Sequence, residues 1–126
     1  MTLTFTLLED IFSICQLKPE NKIPEWCTDC EFFSVTKSKE ELSIVCLEES
    51  VPSGIKVDKG WRALKIDGVL DFSLTGILAP IATILANSRI SIFAISTFNT
   101  DYILVKEKDL ENAITILEAN NYIINR

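Results

Sequence analysis

Apolar and polar residues alternate over short stretches in the first half of the chain. Residues 2–8 and 12–17 have the period of two that is typical of β-strands, and an acidic pair between them predicts a hairpin. Apolar runs at 32–36 and 42–47 predict two more strands. Between these runs, Ser38 is followed three residues later by Glu41, a capping-box pattern that predicts one helical turn.

The second half has longer and clearer periods. Apolar residues recur at helical spacing in 75–87 and 106–119, with Ser73 or Thr75 able to cap the first helix. Strands are predicted at 61–66, 90–98, 102–105 and 122–124. The order strand, helix, strand, strand, helix, strand is that of the ferredoxin-like βαββαβ unit, an α+β fold.

A stretch rich in Pro, Ser and Gly separates the two halves. Residues 48–60 carry Pro52, Ser53, Gly54 and Gly60, which predict a connection without regular structure. We therefore expect an N-terminal module at 1–59 and a C-terminal module at 60–126.

Composition narrows the classes of function. Apolar residues make up 48% of the chain, which favours a folded core, and the net charge of −6 does not favour nucleic-acid binding. No apolar run reaches the ~20 residues of a membrane helix, and the first residues lack the features of a signal peptide. We therefore expect a cytoplasmic protein without a membrane partner. The chain contains no His, which removes the common nucleophilic triads and His-ligated metal sites.

Two motifs in the second half resemble a known family. The first is Leu70-Asp71-Phe72-Ser73-Leu74-Thr75-Gly76-Ile77-Leu78. The second is Ile90-Ser91-Ile92-Phe93-Ala94-Ile95-Ser96-Thr97-Phe98-Asn99-Thr100-Asp101-Tyr102-Ile103-Leu104-Val105. The chain is similar over nearly its whole length to small bacterial ACT-domain proteins related to the animal cytosolic arginine sensor. This resemblance implies two tandem ACT-like modules side by side, the first degenerate and the second complete. It also implies amino-acid binding at a cleft between modules, and pairing of modules in a homodimer.

The first candidate site is the loop that leads into the first predicted helix. Backbone N–H groups at a helix start, next to the positive end of the helix dipole, suit the carboxylate of an amino acid. Asp71 is placed to hold the ligand's ammonium group. The alternative is a capped turn without a ligand.

The second candidate site is the turn between the two hairpin strands. The resemblance implies that Thr97, Phe98 and Asp101 contact a ligand side chain, with the Asp101 carboxylate facing a cationic group. The alternative is an ordinary hairpin, since Asn and Asp are common turn residues. The predicted ligand-binding residues are Asp71, Phe72, Ser73, Leu74, Thr75, Gly76, Ser96, Thr97, Phe98 and Asp101.

One position departs from the family pattern. The arginine sensor has an acidic residue where this chain has Leu74, so arginine is a poor candidate for the ligand.

A third motif is the pair Cys27 and Cys30, spaced as CxxC. Such a pair can bind zinc or carry out thiol redox chemistry, with Cys15 and Cys46 available to complete a four-thiolate site. However, Cys15 and Cys46 lie inside apolar strands, where Cys is usually a small core residue. A single CxxC is weak evidence for either chemistry.

The sequence therefore predicts a non-catalytic regulatory protein that senses an amino acid or a similar small metabolite, without a cofactor or metal. The alternative is a protein–protein interaction module that keeps the ACT fold without ligand binding. A third, less favoured hypothesis is a small zinc or thiol-redox protein.

Overall fold

The computed structural model describes residues 2–71 and 75–126. The strands are β1 (Thr4–Leu7), β2 (Phe12–Leu17), β3 (Ser34–Lys37), β4 (Leu42–Leu47), β5 (Lys56–Ile66), β6 (Ile92–Ser96), β7 (Asp101–Lys106) and β8 (Ile123–Asn125). The α-helices are α1 (Leu78–Asn87) and α2 (Leu110–Ala119). Short 3₁₀ turns lie at Glu25–Cys27, Glu48–Ser50 and Glu107–Asp109.

The chain divides into two compact units. The N-terminal unit is Asp10–Trp61, and the C-terminal unit combines Met1–Glu9 with Arg62–Arg126. The predicted boundary between residues 59 and 60 lies close to one of these division points. It differs in one respect, because residues 1–9 fold with the C-terminal unit.

The C-terminal unit has the predicted order of strands and helices, which confirms the ferredoxin-like fold. Its sheet contains one strand more than predicted. β7 pairs with β6 and β5, β5 pairs antiparallel with β1, and β1 pairs parallel with β8. β1 thus lies between β5, from the middle of the sequence, and β8, from its C-terminal end, and its Phe5 is fully buried.

The helices of the C-terminal unit cover the core through their apolar stripes. α1 buries Ile81 and Leu85, and α2 buries Leu110, Ala113, Ile114 and Leu117. These side chains belong to one cluster with Phe5 and Ile66. The helical period in the sequence therefore predicted which face of each helix is buried.

Both helices end in the same hydrogen-bonded motif. After α2, the Tyr122 N–H donates to the Leu117 carbonyl at 3.1 Å and the Asn121 N–H donates to the Glu118 carbonyl at 3.1 Å. This is a Schellman motif, in which the residue after the cap is left-handed and is usually Gly. Here that residue is Asn121, with a φ of 71°, and after α1 it is Arg89, with a φ of 60°.

In the N-terminal unit, β4 pairs antiparallel with β3 and β2, and β2 pairs antiparallel with the first part of β5. The β2–β5 register shifts between Phe12 and Ile14. Opposite this shift lies Gly60, with a φ of 80°, and its N–H donates to Glu48 Oε1 at 2.8 Å. A left-handed Gly is the usual residue where one strand of a pair has an extra residue.

Several local predictions are wrong. β1 and β2 do not form a hairpin, since each pairs with a different part of β5. Ser38 starts no helical turn; its hydroxyl accepts hydrogen bonds from the Glu40 and Glu41 amides within the turn between β3 and β4. The irregular connection is shorter than 48–60, because β5 already begins at Lys56.

Candidate functional site

The turn between β6 and β7 is held by its own threonines. Ser96 and Asp101 form the last strand pair. Beyond it, the Thr97 N–H donates to the Thr100 carbonyl at 2.8 Å. The Thr97 hydroxyl donates to that carbonyl at 3.0 Å and accepts from the Thr100 N–H at 3.2 Å. The turn therefore has a fixed backbone from which its side chains project.

Two hydrogen bonds connect this turn to the segment that follows β5. Thr100 is only 5% exposed, and its hydroxyl donates to the Ile66 carbonyl at 2.8 Å. The Leu70 N–H donates to the Asn99 carbonyl at 2.6 Å. These bonds bring together the two segments that the sequence singled out, although about 30 residues separate them along the chain.

A pocket of about 200 Å³ lies between these segments. Five predicted site residues line it, namely Asp71, Ser96, Thr97, Phe98 and Asp101. Four further residues complete its described lining, namely Leu70, Ile77, Asn99 and Thr100. We call it the hairpin pocket.

The described lining of the hairpin pocket carries two carboxylates, those of Asp71 and Asp101, and no Lys or Arg. The Ser96 hydroxyl donates to Asp101 Oδ1, which orients that carboxylate. The two carboxylates give the described lining a negative charge, which favours a ligand group that carries positive charge.

The start of α1 also borders the hairpin pocket. Ile77 lines the pocket and is the N-cap residue of α1, and its side chain makes no capping hydrogen bond. The prediction that Thr75 caps the helix is therefore wrong, because α1 begins three residues later, at Leu78. Pro80 is the third residue of the helix, where its missing N–H costs little.

The remaining predicted site residues are placed differently. Gly76 lines another pocket, next to the end of α2, and Thr75 is exposed and lines neither of the two pockets. The predictions for Phe72, Ser73 and Leu74 fall outside the described residues. Leu70, Ile77, Asn99 and Thr100 line the pocket and were not among the predicted ligand-binding residues. Thr100 had a usable signal, since a Thr inside a predicted turn often bonds to the backbone.

The four cysteines lie in the N-terminal unit as free thiols, and Cys15, Cys27 and Cys46 are buried. The Cys27 thiol donates to the Pro24 carbonyl at 3.1 Å, and the Cys30 thiol donates to the Phe32 carbonyl at 3.1 Å. Burial raises the pKa of Cys27, and a hydrogen bond with Cys15 together with burial raises the pKa of Cys46. These two thiols are therefore held in the protonated form, which is a poor nucleophile and metal ligand.

Within residues 2–71 and 75–126, no group of three or more Cys, Asp or Glu side chains is arranged to hold a metal ion. Over the same residues, no helix is long and apolar enough to span a membrane.

Comparison with known proteins places this geometry in a family. The model of the ACT domain matches residues 56–119, and a second model, of an N-terminal domain, matches residues 10–54. The human protein CASTOR3P is 36% identical over 96 residues, which cover 66% of this chain and 59% of that relative. The mouse cytosolic arginine sensor for mTORC1 subunit 1 is 35% identical over 99 residues, which cover 72% of this chain and 30% of that relative.

A solved structure extends the similarity to the whole fold. An X-ray structure of a protein from Agrobacterium tumefaciens has a TM-score of 0.93 and is 33% identical, over 98% of this chain and 92% of that one. The chain thus spans well under two thirds of the arginine sensor but nearly all of this bacterial relative. With an ACT-domain match over residues 56–119, and with the strands and helices described above, the chain belongs to the ACT domain family.

Proposed function

We propose that this chain is a non-catalytic sensor that binds an amino acid or a similar small metabolite. The chain is a regulatory ACT-domain protein related to amino-acid sensors. A mouse relative bears the name of an arginine sensor. In the present chain the hairpin of β6 and β7 carries Asp101, whose carboxylate accepts a hydrogen bond from Ser96. Binding would act by shifting a conformational or assembly equilibrium, to the extent that the two states differ in affinity.

The observation that carries the proposal is the convergence of Asp71 and Asp101 in one pocket of about 200 Å³. A volume of this size is below that of most drug-binding sites, which are about 300–1,000 Å³, and suits a ligand of amino-acid size. In this proposal the carboxylates take the ligand's ammonium or another cationic group.

The ligand's own carboxylate needs a different partner, and the start of α1 offers one. The first N–H groups of a helix have no partner within the helix, and they lie at the positive end of its dipole. Ile77, the residue that caps α1, lines the hairpin pocket and leaves these groups without a side-chain cap of its own. A zwitterionic ligand would thus meet a partner for each of its charges in the hairpin pocket.

A catalytic role has less support. The chain has no His, and the described lining of the hairpin pocket has no Cys or Lys to act as a nucleophile. Its Ser96 hydroxyl donates to Asp101, which fits a role in orienting the carboxylate.

The test is a thermal-shift screen of the full chain against the twenty amino acids at millimolar concentration. A true ligand raises the free energy of unfolding by about 2.7 kcal/mol at a hundred times its dissociation constant, and the rise follows the logarithm of concentration. The Asp101→Asn variant should lose most of this stabilisation, since it removes the charge with little change of shape.

The matched control is Asp29→Asn, the same substitution at an exposed position in the N-terminal unit. It should respond to the ligand as the unmodified chain does. If no amino acid stabilises the protein, the sensor proposal fails for this class of ligand. If a ligand stabilises the Asp101→Asn variant fully, the ligand binds elsewhere.

A second function, docking of a protein partner, is favoured by two exposed apolar side chains. Val69 is 73% exposed and Phe98 is 80% exposed, and the Leu70–Asn99 hydrogen bond joins the segments that carry them. Large apolar side chains exposed at one place are frequent in interaction sites. Under this function, Phe98→Ser would abolish complex formation in a pull-down, and Asp101→Asn would leave it unchanged.

We also propose that the protein is a cytoplasmic homodimer. The location rests on the relative named a cytosolic sensor. The dimer rests on β8, which pairs with β1 on one side and carries Ile123, 50% exposed; open strand edges favour pairing with another chain. Light scattering after size exclusion measures the mass directly, and a mass of 14.2 kDa would contradict the dimer. The prediction of a ligand cleft between modules stays a prediction.

A further inference from the structure

A second pocket of about 200 Å³ lies in the C-terminal unit, at the end of α2. Three segments form its described walls: the residues just before β1, the residues before α1, and the turn after α2. It contains none of the acidic residues of the hairpin pocket and shares only Ile77 with its described lining. We call it the helix-end pocket.

The lining of the helix-end pocket is divided between apolar and neutral polar groups. Leu3 and Ile77 provide apolar surface, and the ring of Tyr122 packs edge-on against Phe5 with the centroids 5.8 Å apart. The neutral polar side chains are Thr2, Asn120 and Asn121. Of the described lining residues only Tyr122 can titrate. A charged ligand would lose hydration here and would meet no side chain of opposite charge among the described lining residues, which disfavours it.

The two Asn residues are held in place before any ligand arrives. The Asn120 side-chain N–H donates to the Ile116 carbonyl at 2.9 Å, which fixes its carboxamide and leaves its Oδ1 able to accept. The Asn121 backbone is fixed by the Schellman motif at a φ of 71°. Because the backbone of this turn is already ordered, ligand binding costs little conformational entropy there.

From this arrangement we infer that the helix-end pocket is a second small-molecule site, for a neutral ligand with a primary amide or hydroxyl group and a short apolar body. The Asn120 and Asn121 carboxamides pair with the amide or hydroxyl group. Leu3, Ile77 and the Tyr122 ring cover the apolar body. This site is separate from the amino-acid site proposed above and does not depend on it.

The test uses isobutyramide as the probe and isobutyrate, a carboxylate anion of nearly equal size and shape, as the comparison. Each is titrated into the ¹⁵N-labelled full chain, and the side-chain amide resonances of Asn120 and Asn121 are followed. Isobutyramide should shift both resonances with a saturating dependence on concentration. Isobutyrate should need a concentration about tenfold higher or more for the same shift, since its charge meets no partner.

Two variants make the test specific. Asn121→Gly keeps the left-handed backbone, which Gly adopts freely, and removes one carboxamide. It should weaken isobutyramide binding about fivefold or more, measured at the Asn120 resonance, as expected for loss of one net hydrogen bond. Arg89→Gly makes the same backbone change after α1 and should leave the affinity within about twofold of the unmodified chain. Ile77 is unsuitable as a test position because it lines both pockets.

Three results would overturn the inference. They are the absence of a saturating shift with isobutyramide, an equal response to isobutyrate, and an unchanged affinity in Asn121→Gly. If the chain binds an amino acid through Asp101 and also gives any of these three results, the proposed function stands and only the second site is refuted.

Discussion

Residues 1–9 are an integral part of the C-terminal unit, and Phe5 provides a direct test of this. Phe5 is fully buried in β1, where it lies opposite Ile66 of β5 and Ile124 of β8. Its ring packs edge-on against Tyr122, at 5.8 Å between centroids and 61° between planes. Phe5→Ala therefore leaves a cavity in the core of the C-terminal unit, at the strand that pairs with both β5 and β8.

The expected cost of Phe5→Ala is about 3–5 kcal/mol of unfolding free energy, the range for truncating a buried Phe. Of this, about 0.5–1.5 kcal/mol comes from the lost aromatic pair. Because a typical domain is stable by only about 5–15 kcal/mol, the variant should unfold at a much lower urea concentration.

Urea denaturation can assign this loss to one unit. Both α-helices lie in the C-terminal unit, so circular dichroism at 222 nm reports its unfolding. Trp26 and Trp61 are the two Trp residues of the chain and both lie in the N-terminal unit, so their fluorescence reports that unit. Phe5→Ala should shift the midpoint of the dichroism transition to a much lower urea concentration.

The matched control is Phe33→Ala, the same truncation at a side chain that is 38% exposed in the N-terminal unit. It should leave the unfolding free energy measured by circular dichroism within about 1 kcal/mol of that of the unmodified chain. A loss below about 1 kcal/mol for Phe5→Ala itself would refute the reasoning, because β1 would then contribute little to the core.

Three further predictions concern stability. Ser13→Ala should raise the unfolding free energy by about 1 kcal/mol, because the Ser13 hydroxyl is buried and has no hydrogen-bond partner among the described residues; a loss in a fluorescence-monitored urea titration would contradict this. Arg89→Gly should raise the unfolding free energy measured by circular dichroism by about 1 kcal/mol, because Gly adopts the left-handed backbone, with its φ of 60°, without strain. An unchanged urea midpoint would show that no strain is relieved. Burial raises the pKa of Cys27 above its ordinary value of 9.0, so above about pH 9 the unfolded chain loses this proton more readily and the stability of the N-terminal unit falls. Cys27→Ala should make that alkaline fall less steep, and an equally steep fall in the variant would assign it to other groups.

Some elements of this protein follow from the sequence alone, since their signals are local. The runs at 12–17 and 42–47 became β2 and β4 with the predicted bounds, and the apolar stripe of α2 is the buried face. These signals are local because the period of a strand or helix is set by its own backbone geometry. The resemblance to the ACT family was likewise carried by two motifs between Leu70 and Val105.

Helix ends were harder to predict. Arg89 and Asn121 occupy the left-handed positions where Gly is the usual signal, so neither Schellman motif was predicted from the sequence. The hydrogen bonds of the motif stabilise the turn despite the less favourable residue.

Strand partners and the hairpin pocket depended on the tertiary structure. Residues 2–8 were predicted as half of a hairpin, because a second strand follows closely in the sequence. The strand that forms there, β1, pairs instead with β5 and β8. Pairing between strands far apart in sequence is decided by which arrangement buries Phe5 and its neighbours together, and no local pattern records that choice. In the same way, the sequence supplied Asp71 and Asp101, whereas the bonds from Thr100 to Ile66 and from Leu70 to Asn99 brought them into one pocket.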